Sequence, residues 1–369
     1  MRFVREARPI SGSHEAADLL RELVEIESPT GHSAGLRSVA DRVVAELEPH
    51  GGEATFTGGH LRVDLPGEGE PLLLLGHVDT VWEVGTLADM PFRVENGRAY
   101  GPGAYDMKAG LVVLVEAVRE AGDRRRALRA FLTADEETGS LTGRPLIEEA
   151  AQGVAAALVL EPPTARGNLK TARKGLARYR LVVHGHASHA GTHLDEGASA
   201  VEELAHQILA LKGLGDPRHG ITVNVGVVRG GMRENVVADH AEAWIDVRVT
   251  HAADVPKIEA ALARLEPADP GTRLELEGGF TRPPLERSPG SALLFEKARG
   301  HGLELGLDLH ESASGGGSDG NLVGALGVPV LDGLGAEGGG AHARDEHVLL
   351  DSIPVRAALL ARLLIDPGL

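Results

Sequence analysis

The chain contains no cysteine among its 369 residues. That excludes disulfides and thiolate ligands, so any metal it binds is held by His, Asp and Glu. Basic side chains are in deficit, with 37 Lys and Arg against 54 Asp and Glu and a formal charge of -17. Such a balance argues against a phosphate-binding surface, and nucleic acid is not an expected partner. Long hydrophobic runs are missing too: "LVVLV" and "AALLARLLI" fall well short of the roughly 20 residues that span a bilayer. The first ten residues, "MRFVREARPI", are charged and lack the apolar stretch of a signal peptide, so the reading is a cytoplasmic protein without membrane association. Neither an internal repeat nor a disordered linker is visible.

What is there suffices for a substantial core. Hydrophobic residues make up 42% and charged residues 25%, and the length allows two domains. "HEAADLLRELVEIES" and "LRSVADRVVAELEPHG" carry apolar residues at helical spacing. The run "PLLLLGH" reads as a parallel strand covered on both faces, with Gly76 freeing the chain to turn at its end. From there the order is strand, helix ("MKAGLVVLVEAVREAG"), strand ("ALRAFLTADEE"), helix ("GRPLIEEAAQG") and strand ("AALVLEPP"). That is the layout of a three-layer α/β domain with a mostly parallel sheet. After Arg173 the pattern changes. "GLARYRLVVHGHASHAG" and "AEAWIDVRVTH" alternate like half-exposed antiparallel strands, while "ASAVEELAHQILALKG" and "DVPKIEAALARLEP" read as helices on one face. The expected organisation is a catalytic α/β domain of residues 1–173 and 285–369, interrupted by a smaller α+β module of residues 174–284.

In an open α/β sheet, ligands bind beyond the carboxyl ends of the strands. His77 and Asp79 follow the leucine run, Asp106 sits in "GPGAYDMKAG" before a helix, Glu136 and Glu137 follow "AFLTAD", Glu161 ends "AALVLE", and His342 lies in "GGGAHARDEH". Each has an ordinary explanation. A lone His after a strand is usually a hydrogen-bonded structural residue, an Asp before a helix is usually a cap, and a Glu-Glu pair is usually a solvated charge. Their coincidence at one edge of the sheet is less ordinary. Carboxylates gathered on one rim repel unless protonated or neutralised by cations, and two divalent ions would neutralise these.

"GHVDTV", "GPGAYDMKAG", "TADEETGS", "LVLEPP" and "GAHARDEH", in that order and with an inserted module before the last, resemble the co-catalytic zinc exopeptidases of the aminoacylase, acetylornithine deacetylase and carboxypeptidase G superfamily. Within it the likeness is to the glutamate carboxypeptidase type. The resemblance implies a ferredoxin-like lid and dimerisation domain, a homodimer formed through it, and two ions per subunit. Zinc is implied, although cobalt or manganese would accept the same ligands. It implies that His77 and Glu161 hold one ion, Glu137 and His342 the other, and Asp106 both. Glu136 would be the general base, and Asp79 would accept the second ring N–H of His77. A cis peptide after Asp106 is implied as well, and Glu161, as a Glu rather than an Asp, leans toward carboxypeptidases and aminoacylases.

Four more positions come from the same likeness. His189, in "HGHASHAG", would reach the partner subunit's active site and polarise the scissile carbonyl. Asn235 and Arg248 match lid residues that bind the substrate carboxylate or oxyanion, and Arg282 matches an arginine that clamps a carboxylate. The Gly-rich "ASGGGSDGN" lacks the GxxxxGK[ST] pattern of a nucleotide loop; Gly316 within it would offer backbone N–H to the substrate. The implied activity is hydrolysis of the amide bond of an N-acyl or N-peptidyl amino acid with a free carboxylate. An N-acetyl amino acid deacylase or a dipeptidase would use the same site, and a silent metal-binding scaffold would not need Glu136.

Overall fold

A computed structural model describes the chain from Ser13 to Leu369, and the charged opening segment "MRFVREARPI" lies outside the described residues. The chain divides into two compact units. One runs to Ala172 and resumes as Arg287–Ala313 and Ser318–Leu369, and the other comprises Arg173–Glu286 with Ser314–Gly317. Among the described residues no helix is long and apolar enough to cross a membrane.

The first unit is built on an eight-stranded sheet in the order Glu53–Thr57, His60–Leu65, Arg126–Thr133, Glu68–His77, Ala156–Val159, Val330–Asp332, Leu169–Arg173, Glu311–Ser314. Its centre is parallel. Glu68–His77 runs parallel to both Arg126–Thr133 and Ala156–Val159, and Val330–Asp332 runs parallel to Ala156–Val159. The hairpin at one edge, Glu53–Thr57 with His60–Leu65, is antiparallel. Leu72, Leu73, Leu74 and Leu75 are all fully buried. Side chains alternate along a strand, and Leu72 and Leu74 pack with Leu111 and Leu114 of the Ala109–Ala121 helix and Leu360 of the Ser352–Ile365 helix. Leu73 and Leu75 therefore bury against the opposite layer, and the leucine run satisfies both faces at once.

Gly76 departs from the sequence reading. It lies inside the strand, paired with Leu132, rather than at a turn. A Cβ at this position would sit 2.9 Å from Met107 Cε and 3.2 Å from Leu132 Cδ2. The missing side chain makes room for Met107, whose sulfur accepts the His77 N–H at 3.3 Å.

A small antiparallel sheet was not legible in the sequence: Gly338–Gly339, His347–Leu349, Arg98–Tyr100 and Arg93–Glu95. Strands of two or three residues carry no usable periodicity. This sheet nevertheless pairs the loop that carries His342 with the chain leading to Asp106.

The second unit is a β-α-β-β-α-β fold. Its strands are Gly175–His184, Thr222–Gly230, His240–Val249 and Arg273–Arg282, and its helices are Ala200–Gly213 and Val255–Leu262. In space the strands run second, third, first, fourth, all antiparallel, which is the ferredoxin-like arrangement. Leu181, Val183, Ala243, Ile245 and Val247 bury against Leu204, Leu211, Ile258 and Leu262 of the helices.

Candidate metal centre

The central parallel strands end side by side, so the residues just beyond their carboxyl ends share one rim. His77 is the last residue of its strand, Glu136 and Glu137 open the short turn Glu136–Thr138 after Arg126–Thr133, and Glu161 comes two residues after Ala156–Val159. Asp106 stands ahead of the Ala109–Ala121 helix, and the Asp106–Met107 peptide is cis. His342 sits between strands of the small sheet with a left-handed φ of 61°.

These side chains converge in two sets that share Asp106. His77 Nε2 lies 3.4 Å from Asp106 Oδ1 and 3.6 Å from Glu161 Oε1. His342 Nε2 lies 3.4 Å from Asp106 Oδ2 and 3.3 Å from Glu137 Oε2. One donor atom each from His77, Asp106 and Glu137 falls within 4.8 Å of the others. His77 Nε2, Asp106 Oδ1 and Glu137 Oε1 are buried with no hydrogen-bond partner among the described residues, an arrangement that ordinarily costs about 1–3 kcal/mol per group. Donors about 2.0–2.2 Å from a tetrahedral ion stand roughly 3.3–3.6 Å apart. The orphaned atoms, their separations and the imidazole-carboxylate composition therefore fit divalent cations.

Electrostatics point the same way. Burial pushes the Asp106 carboxyl up, but His342 and His77 outweigh it and hold it well below the usual carboxylate range. Burial pulls His77 down, yet the oxygens of Asp106, Asp79 and Glu161 leave it well above its ordinary value. The carboxylates of Asp106 and Glu137 raise His342 to about 10. A cluster that draws protons this strongly is one that demands positive charge.

Asp79 differs in detail from the sequence expectation. The ring Nδ1 of His77 lies 2.9 Å from the main-chain oxygen of Asp79, while the Asp79 carboxylate is 3.4 Å away. That carboxylate is occupied elsewhere: Oδ1 accepts the Glu136 N–H at 3.1 Å, and Oδ2 accepts the Glu137 N–H at 3.2 Å and the Thr30 hydroxyl at 2.6 Å. Its visible work is to hold the turn that presents both glutamates. From the other side of the same turn, Ser140 donates its hydroxyl to Asp319, as does Thr133 at 2.8 Å.

Two buried charges carry no signal in the sequence. Glu346, 1% exposed, accepts N–H groups from the loop around Asp106. Lys108 donates its ammonium to the Ile26 carbonyl at 2.6 Å, and burial lowers it to about 7 against the pull of Glu346 and Glu27. Both sit in charged-looking stretches, "ARDEH" and "DMKAG", where a surface reading is natural.

The remaining predicted positions belong to the second unit and fall into two groups. His189 and Asn235 are exposed neighbours: His189 bridges Val236, and the Ala190 N–H donates to the Asn235 carbonyl at 3.1 Å. Arg248 and Arg282 both face Leu176 in the strand register, at the far end of the sheet from His184 and His240. Eight residues of antiparallel strand separate Leu176 from His184, roughly 27 Å at about 3.4 Å per residue. Asn235 thus groups with His189 rather than with Arg248. Arg248 binds Asp246 at 2.8 and 3.2 Å and donates to the Gly315 carbonyl at 2.8 Å, while Arg282 is only 3% exposed. Gly316 donates its N–H to Ser314 Oγ at 3.1 Å, and its carbonyl accepts from Arg173 at 3.2 Å. Offering that N–H to a substrate requires the Ser314 bond to be exchanged.

Comparison with known proteins gives a consistent picture. The model of peptidase family M20/M25/M40 matches residues 73–366. Carboxypeptidase G2 of Pseudomonas sp. (strain RS-16) is 31% identical over 369 aligned residues, covering 95% of this chain and 88% of that protein. Succinyl-diaminopimelate desuccinylase of Thioalkalivibrio sulfidiphilus is 27% identical, with 95% and 100% covered. Among solved structures, aminopeptidase PepT of Bacillus cereus ATCC 10987 superposes with a TM-score of 0.80 at 22% identity, covering 97% of this chain and 99% of that one, a likeness of fold.

Proposed function

The chain belongs to peptidase family M20/M25/M40, and on that premise we propose that it is a dizinc amidohydrolase of glutamate carboxypeptidase type. Membership makes it a metallopeptidase-class hydrolase with a candidate metal site. The finer reading is that it cleaves the amide bond between an acyl or peptidyl group and a terminal glutamate or similar small amino acid. One observation carries the two-ion hydrolase reading: the two oxygens of Asp106 each lie 3.4 Å from a different histidine, the relation expected of a carboxylate that bridges two ions.

In this reading His77 and Glu161 hold one ion, Glu137 and His342 the other, and Asp106 both. The bound pair supplies Lewis acidity for the scissile carbonyl and a lower pKa for the attacking water. Glu136, held through its N–H by Asp79, takes the water proton and returns it to the leaving amine. Glu137, its neighbour on the turn, is committed to His342 and Asp106, which separates the two glutamates' work. Arg248 and Arg282 receive the substrate carboxylate, a task suited to the guanidinium fork.

His189, with Asn235 beside it, stabilises the oxyanion of the partner subunit's substrate. The support is the separation along the strands: Arg248 and Arg282 face Leu176, whereas the loops of His189 and Asn235 join the strands at His184 and His240, roughly 27 Å along the sheet. A second copy would let the two groups serve one substrate. The edge strand Thr222–Gly230 exposes Val227 and Val228 and suits pairing with that copy. A cytoplasmic setting is part of the same proposal.

The name of the relative carboxypeptidase G2 supports the carboxypeptidase reading. The desuccinylase relative favours a second one, an N-acyl amino acid deacylase on the same metal centre. A hydrolysis panel of acyl-glutamates, acetylated amino acids and dipeptides, run on zinc-, cobalt- and manganese-loaded protein with a chelated control, tests both. Preference for acyl-glutamates supports the first and preference for acetylated or succinylated amino acids the second. Amide hydrolysis that survives complete chelation overturns both.

A further inference from the structure

Glu346 stands four residues beyond His342, and its carboxylate, 1% exposed, accepts four hydrogen bonds. Oε1 takes the main-chain N–H of Tyr105 at 2.9 Å and of Asp106 at 3.0 Å. Oε2 takes the N–H of Gly103 at 3.0 Å and the indole N–H of Trp82 at 2.7 Å. The Glu346 backbone is fixed as well. Its N–H donates to the Ala343 carbonyl at 2.9 Å, its carbonyl accepts from Gly101 at 3.3 Å, and the Ala343 N–H donates to Gly340 at 2.8 Å. One buried carboxylate thus joins the loop that carries His342, the loop that carries Asp106, and Trp82 five residues past His77. A joint needed only for folding gains little from a buried charge, since apolar packing of similar volume commonly does as well or better. A joint that must hold two ligands in register does gain, because four directed bonds fix position more tightly than packing does.

We propose that Glu346 is a positioning residue of the metal centre: it sets Asp106 against His342, and so governs affinity for the ion those two share with Glu137. The proposal rests on the two-ion reading above. Glu346→Gln is the sharp probe. Each carboxylate oxygen serves two N–H donors, so whichever way the amide turns, its NH2 confronts two of them.

The test is zinc titration of the ion-free full chain against a competing chromophoric chelator, with urea unfolding of the same ion-free proteins in parallel. Glu346→Gln is expected to weaken one of two zinc sites by about 10- to 100-fold. Trp82→Phe removes a single donor and keeps the aromatic bulk; it is expected to weaken the same site by about 3-fold, and it decides alone if Glu346→Gln fails to fold. Unchanged zinc affinity in the folded variants, even with lowered urea stability, overturns the positioning role and leaves the functional reading intact. Absence of zinc binding by the unsubstituted chain overturns the functional reading and this proposal with it.

Discussion

Asp79→Asn separates two accounts of one carboxylate. If Asp79 serves His77, the substitution disturbs the imidazole and with it the first ion. If it serves the turn Glu136–Thr138, the ion stays and the general base is misplaced. The geometry favours the turn, because the main-chain oxygen of Asp79 already takes His77 Nδ1 at 2.9 Å, a bond the substitution leaves alone. Asparagine keeps one acceptor. Its oxygen fits best in place of Oδ2, which serves both Thr30 at 2.6 Å and the Glu137 N–H at 3.2 Å. The amide nitrogen then confronts the Glu136 N–H, which loses its acceptor at 3.1 Å. A hydrogen bond to a charged group contributes about 1.5–3 kcal/mol, and if that loss is expressed in the transition state, kcat falls about 10- to 150-fold. Zinc affinity should stay within about 3-fold of the unsubstituted chain, because no ligand has lost its partner. Steady-state kinetics on the loaded enzyme and chelator competition on the ion-free form measure the two quantities. Intact kcat with zinc affinity reduced tenfold or more would refute this reasoning and restore His77 as the client of the Asp79 carboxylate.

Four further outcomes are expected. Glu136→Gln should lower kcat about 10²- to 10⁴-fold while both ions remain bound, as metal analysis of the purified variant would report. Gly76→Ala introduces a Cβ 2.9 Å from Met107 Cε and 3.2 Å from Leu132 Cδ2; overpacking of this kind costs about 1–3 kcal/mol, read as a lower urea midpoint. Glu203, 1% exposed, accepts the Gln207 amide and the N–H groups of Ala268 and Asp269; burial raises its pKa, but these donors outweigh it and leave the pKa lowered. Its stabilisation is therefore full above the unfolded value near about 4.3 and fades as pH falls through the lower folded value, so urea midpoints of the parent and Glu203→Gln should differ at pH 7 and converge in acid. Val228→Asp, on the exposed edge strand, should halve the mass seen by sedimentation equilibrium and lower activity with zinc content unchanged; a variant that stays dimeric would overturn pairing through this strand, and one that turns over normally as a monomer would remove His189 from the mechanism.

The strand-end residues of the candidate metal centre, His77, Glu137 and Glu161, were legible because each is announced locally. A buried strand ends in a polar residue that its core neighbours do not require, and parallel strands place such endings on a common rim. The leucine run before His77 is fully buried on both faces, as its composition demands, and that rigidity is what lets a short motif speak for a position in space. The α/β layout and the inserted module were legible for the same reason, since strand and helix periodicities are local signals.

Relations between segments were not legible. Glu346 meets Asp106 across 240 positions and Trp82 across 264, and nothing in "ARDEH" distinguishes a buried clamp from a solvated charge. The sheet that brings those segments together consists of strands two or three residues long, too short for any pattern. The same limit explains Asn235, thirteen residues before Arg248 in sequence yet at the opposite end of the sheet, because the His240–Val249 strand lies between them. Motifs state which atoms can bind an ion, whereas the segments that carry those atoms are held by carboxylates outside the set, Glu346 at Asp106 and Asp79 at the turn of Glu136 and Glu137. Substitutions at Asp79 and Glu346 should therefore degrade a centre whose ligands are all still present, the first through the base and the second through the ion.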